Sequence, residues 1–110
     1  MALSLYMQYD SEWRPACDVC ENADCIQLIA DLPGMARESV KVGIEDGLLV
    51  ISGERRRASS IEGRYHAAER GQGKFKQLLT LPKGDALQLD RLDYQLSEGV
   101  LLVTIPKKRQ

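Results

Sequence analysis

Asp31 to Gly53, DLPGMARESVKVGIEDGLLVISG, constrains the fold more than any other stretch of this sequence. Pro33-Gly34 is a strong local break. Val40-Lys41-Val42-Gly43-Ile44 then alternates apolar and other residues with period two, the pattern of a half-buried strand. Asp46-Gly47 follows, a pair suited to a two-residue hairpin because both central positions of that turn need positive φ. The return strand, Leu48 to Ser52, closes at Gly53. A β-hairpin is expected here, with the remaining strands packing on it.

Those strands are short and separated by turn signals. Residues 1–12 alternate weakly (Leu3, Leu5, Met7 and Tyr9 against Ser4, Tyr6 and Gln8) and read as a strand or a sticky arm. Trp13-Arg14-Pro15 marks the start of the folded domain, Ala16 to Glu21 reads as a strand and Asn22-Ala23-Asp24 as a turn. In the strand Cys25 to Leu32, one face carries Ile26, Leu28 and Ala30 and the other Cys25, Gln27 and Ile29. Further strands are expected over Lys74 to Leu81, Leu92 to Leu96 and Val100 to Ile105, with turns at Lys83-Gly84-Asp85 and Ser97-Glu98-Gly99. Residues 54–74 are rich in Arg and Gly and poor in apolar side chains, so they predict a long exposed excursion whose one candidate strand is Arg64 to Glu69. Seven to eight strands without a helix-period segment give an all-β, immunoglobulin-like antiparallel sandwich, with a closed barrel as the alternative. A sandwich has open edges, which are either protected or used for pairing.

At 110 residues the chain is one domain, long enough to bury roughly two-thirds of its unfolded surface. Fifteen basic against sixteen acidic residues leave a net charge of -1, which argues against nucleic acid or membrane as a partner. The basic runs Glu54-Arg55-Arg56-Arg57 and Lys107-Lys108-Arg109 read as solvated strand ends. An aromatic content of 5% is too low for a base-stacking platform. No apolar run reaches the ~18 residues of a membrane span, and the N-terminus carries no signal-peptide pattern. Three cysteines form no even disulfide framework, so a cytoplasmic setting is expected.

The ordered motifs resemble the α-crystallin domain of the small heat shock proteins, of bacterial and plant type. They are Trp13-Arg14-Pro15-Ala16, Asp18-Val19, Ala30-Asp31-Leu32-Pro33-Gly34, Glu45-Asp46-Gly47 and Gly53-Glu54-Arg55. After these come Tyr65-His66, Glu69-Arg70 before Gly73 and Phe75, Leu81-Pro82, Gly99-Val100-Leu101 and Ile105-Pro106-Lys107. The resemblance spans residues 13–107, leaving a short arm at 1–12 and a stub at 108–110. It implies an ATP-independent holdase that binds unfolding client proteins and uses no cofactor. It also implies a homodimer, or an assembly of dimers, in which the excursion strand pairs with the partner's first domain strand. That places Arg64, Tyr65, His66, Ala67, Glu69, Arg70, Asp18 and Val19 at the interface. A groove between two edge strands, filled in the family by an Ile-x-Ile-type tail, maps to Val40, Val42, Leu92, Tyr94 and Leu96.

Three departures from the family pattern stand out. The chain ends four residues past Pro106, the arm is short, and Gln77 stands where the family often has an arginine, which puts a buried cross-dimer ion pair in doubt. A dimer rather than a large shell is therefore expected. Leu3-Ser4-Leu5 is an apolar-x-apolar triplet of the kind that docks in such a groove.

Rival chemistry is weaker. Cys17, Cys20, Cys25 and His66 are zinc-ligand types, but Cys17 and Cys20 sit three apart on a strand and so point to opposite faces. No metal site is expected. The only His lies in a polar loop, and Gly71-Gln72-Gly73-Lys74 lacks P-loop spacing, so no enzyme activity is expected. The alternative function is a co-chaperone of the p23 type, or another protein-binding module, on the same sandwich.

Overall fold

The structure, a computed structural model, describes residues 5, 7–57, 62–82 and 86–108. Eight strands are found among them: β1 (Met7–Tyr9), β2 (Cys17–Glu21), β3 (Cys25–Asp31), β4 (Val40–Glu45), β5 (Leu48–Arg55), β6 (Gly73–Thr80), β7 (Asp93–Ser97) and β8 (Val100–Pro106). They form two antiparallel sheets of four, ordered β1-β6-β5-β4 and β2-β3-β8-β7. The described helical content is two three-residue 3-10 turns, Arg37–Ser39 and Leu89–Arg91. No helix among these residues is long and apolar enough to cross a membrane.

Period two explains the layering. Ile26, Leu28 and Ala30 of β3 face Ile105, Val103 and Leu101 of β8, and all six are buried. Leu49 and Ile51 of β5 sit beside Leu79 and Gln77 of β6 on the opposing inner face. Burying each Leu or Ile contributes roughly 1.5–3 kcal/mol relative to leaving it exposed. The expected sandwich is present, and the alternation of β3 falls as the sequence predicts.

Both tight hairpins turn through two consecutive positive φ values, which suit Gly47, Gly99 and Asp46 and which Glu98 adopts against its preference. Asp46 and Gly47 sit at φ 50 and 78, and Glu98 and Gly99 at φ 51 and 79. Two consecutive positive φ values match the right-handed twist of the strands they join. The β2–β3 turn is held differently: Asn22 Oδ1 accepts from the backbone N–H groups of Asp24 and Cys25, at 2.7 and 2.9 Å.

Several boundaries differ from expectation. The strand from Cys25 ends at Asp31. β5 runs on to Arg55 and β6 begins at Gly73, which shortens the excursion to residues 56–72. Part of the arm joins the domain, because β1 pairs with β6 through Met7–Leu79, Gln8–Leu78 and Tyr9–Gln77. Residues 64–69 form no strand within the single chain. The turn expected at Lys83-Gly84-Asp85 lies outside the described residues.

Candidate interaction site

The excursion leaves and re-enters the sandwich through one cluster. Arg55 continues the inward row of β5 beyond Ile51 and Gly53, so its side chain turns into the protein and is only 8% exposed. Its guanidinium lies 4.3 Å from the centre of the Trp13 ring. Nε and Nη2 donate to the Gly71 carbonyl, Nε at 2.7 Å, and Nη1 donates to the Pro33 carbonyl at 3.4 Å. Trp13 in turn donates from Nε1 to the Gly73 carbonyl at 2.8 Å and packs edge-on against Phe75, with ring centres 5.4 Å apart. One end of the excursion thus grips the other, with Trp13 as the anvil between them.

Space at the returning foot is restricted. A Cβ on Gly71 would lie 2.4 Å from the Trp13 ring, and Gly73 adopts φ +102 beside the Glu12 carboxylate. These glycines let the chain re-enter the sandwich, as their pattern suggests. Arg55 itself corrects the reading of residues 54–57 as a solvated strand end. Charge composition signalled water, whereas strand parity places this side chain inside. Burial, and secondarily the neighbouring charge of Arg70, push Arg55 below the usual guanidinium pKa. It nevertheless stays cationic at neutral pH. Lys107 corrects the second basic run in a milder way: it is half-buried and its Nζ lies 2.6 Å from the Glu21 carboxylate.

The candidate interface residues fall on two exposed elements. Asp18 and Val19 lie on β2, the outer strand of its sheet, where Val19 is 36% exposed. Arg64, Tyr65, His66, Ala67, Glu69 and Arg70 are all exposed in the excursion. Tyr65 keeps 54% of its surface in solvent and meets only the flat face of the Arg57 guanidinium, 4.3 Å away.

β4 and β7 are the other outer strands. Val42, Leu92, Tyr94 and Leu96 are half-buried against the core, and Ile44, outside the groove set expected from the sequence, joins them. Val40 is core, at 4% exposure. Arg37, just before β4, stacks 5.2 Å from the Tyr94 ring of β7, which places both edges on one side of the sandwich. Of Leu3-Ser4-Leu5, only Leu5 is among the described residues, half-buried against the core.

Gln77 is 1% exposed on β6. Its Nε2 donates to the Pro15 carbonyl at 3.1 Å, tying this sheet to the segment that enters β2, while its Oε1 finds no partner among the described residues. Register puts Cys17 opposite Ala30 on the inner face and Cys20 opposite Gln27 on the outer face, so the two thiols diverge. Burial, and then the Asp18 charge, push the Cys17 thiol up. Among the described residues no group of three or more His, Cys, Asp or Glu is placed to hold a metal.

Residues 18–110 match the model of the Hsp20/alpha crystallin family. The 16.6 kDa heat shock protein of rice (Oryza sativa subsp. japonica) is 44% identical over 84 residues, which are 72% of this chain and 55% of the rice protein. Heat shock protein 16 of Schizosaccharomyces pombe is 37% identical over 103 residues, 91% of this chain and 71% of that protein. The crystal structure of hspA from Xanthomonas axonopodis aligns with a TM-score of 0.78 at 36% identity, covering 88% of this chain and 96% of that one. This chain therefore spans little more than half the length of the rice protein.

Proposed function

The chain belongs to the Hsp20/alpha crystallin family, and on that premise we propose that it is an ATP-independent holdase built from strand-exchanged dimers. One observation supports this most: the excursion exposes every residue from 62 to 70, while β2 hydrogen-bonds to β3 alone among the described residues. A short polar segment buries too little apolar surface to fold by itself, so a neighbour's sheet edge is its natural partner. Residues 64–68 of one copy would extend the partner's sheet alongside Asp18 and Val19. The edges β4 and β7, with Val42, Ile44, Tyr94 and Leu96, would take apolar-x-apolar strands from a further copy or from an unfolding client. Coverage of that kind yields roughly 25 cal/mol per Å² of apolar surface and selects for exposed apolar character rather than sequence. It suits a protein that retains many clients and transforms none.

The test is light scattering from a thermolabile enzyme heated with and without this protein. Suppressed aggregation without ATP, unchanged when ATP is added, is the expected result. Unaltered aggregation overturns the holdase reading. Suppression that needs ATP or a second chaperone favours the co-chaperone alternative.

A further inference from the structure

Arg55 is a buried cation whose described hydrogen-bond partners are all neutral. Its guanidinium meets the Gly71 and Pro33 carbonyls and the Trp13 ring. No carboxylate among the described residues forms an ion pair with it. Taking a charge out of water without a counter-charge is costly, which is why buried ions are usually paired. The neighbouring charge instead has the same sign. Arg70 is exposed, and its Nη2 lies 4.0 Å from where a Cβ on Gly34 would stand. Arg55 Nη1 reaches the carbonyl of the preceding residue, Pro33. Two guanidiniums thus converge on one two-residue turn, at an open cleft also lined by Arg56, Arg57 and Lys74.

The carboxylates along the same cleft do not cancel this charge. Glu54 faces Arg56 at 3.8 Å, and Glu12 Oε2 accepts from the Lys74 backbone N–H at 3.2 Å. Asp10 and Glu38 also line it. Seven basic side chains therefore face four acidic ones across this cleft.

We propose that the Arg55–Arg70 pair at the foot of the excursion binds a phosphate-class oxyanion. The Arg70 guanidinium offers a planar fork of donors that matches two oxygens of such an anion, and Arg55, with Nε and Nη2 on Gly71 and Nη1 on Pro33, adds its charge and one remaining N–H on each Nη. A tetrahedral oxyanion has oxygens enough to engage the Arg70 fork and an Arg55 N–H together, whereas a carboxylate is used up by the one fork. Binding supplies the missing counter-charge and relieves the repulsion between the two arginines. The ligand is a free phosphate or a phosphoryl group carried by a larger molecule, and the two have the same chemistry at this site. The inference goes beyond the chaperone reading and rests on one part of it, that the exchanged strand ends before Arg70.

The chain has a single tryptophan, and it stacks on Arg55, so its fluorescence reports on the site directly. Inorganic phosphate, pyrophosphate and a phosphoserine peptide are titrated separately into the full chain, against sodium chloride at matched ionic strength. Saturable changes with phosphate or pyrophosphate, accompanied by a rise in Tm, are expected in the parent protein. A response to the peptide as well assigns the site to carried phosphoryl groups in addition to free ones. Arg70→Gln is expected to weaken binding by about tenfold or more. Arg91→Gln, which removes the same charge outside the cleft, is expected to leave it within about twofold. A response reproduced by sodium chloride, or equal weakening in both variants, reduces the effect to general screening and overturns the proposal. No response to any of the three ligands overturns it equally.

Discussion

Gly99→Ala is expected to destabilise the fold by about 3–4 kcal/mol, against about 1–2 kcal/mol for Gly47→Ala. The two glycines occupy the second turn position of the two tight hairpins, with φ of 79 and 78. Backbone strain from adding a Cβ is therefore nearly the same at both. Their surroundings differ. A Cβ on Gly47 meets nothing within 4 Å, whereas one on Gly99 would lie 2.9 Å from Pro33 Cα and 3.2 Å from Pro33 Cβ. Pro33 cannot yield easily, because the Leu32 N–H donates to the Gly99 carbonyl at 2.7 Å and holds the two turns together. Denaturant unfolding of both variants at one protein concentration separates the strain they share from the collision unique to Gly99. Equal losses would show that the Pro33 contact relaxes without cost.

Arg55→Met is expected to cost about 2–4 kcal/mol, because the Gly71 carbonyl loses charged donors and the cation leaves the Trp13 face. Methionine keeps most of the buried stem, so the loss reports on the guanidinium rather than on a cavity. Relief of the buried charge works in the opposite direction and holds the total below the sum of its parts. Arg56→Met is the comparison. That side chain is 89% exposed with a 3.8 Å contact to Glu54, and its replacement is expected to change stability by less than about 0.5 kcal/mol. Thermal unfolding of the two variants side by side decides the point, since matched losses would mean that Arg55 contributes no more than a surface charge.

Much of the fold could be read from local pattern. Asp46-Gly47 and Ser97-Glu98-Gly99 announced their hairpins because Gly47 and Gly99 take positive φ without strain, although Glu98 adopts it against its own preference. Ile26, Leu28 and Ala30 announced the buried face of β3 because alternation maps directly onto a pleated strand. What escaped depends on distant partners. Arg55 looked like one member of a basic run, and the ring that shelters it comes from Trp13, far back in the chain. Its position two residues after Gly53 on the inward row of β5 was the available clue. Leu49, Val50 and Ile51 are all buried, so β5 does not keep the alternation of a half-buried strand. Val50 keeps only 7% of its surface in solvent although it alternates with Leu49 and Ile51, between Gly43 of β4 and Leu78 of β6. Arg64 to Glu69 was the one candidate strand of the excursion and yet forms none in the single chain, where every residue from 62 to 70 is exposed.

The exchange of that segment is tested most directly by the mass of the chain in solution, read by chromatography with in-line static light scattering. The parent is compared with a variant whose residues 62–70 are replaced by a short Gly-Ser link. The parent is expected at twice its 12.3 kDa chain mass, or a multiple of that dimer, and the variant at the mass of one chain. A monomeric parent, or a variant that keeps the parent's mass, would contradict the assignment of the excursion as a partner's strand.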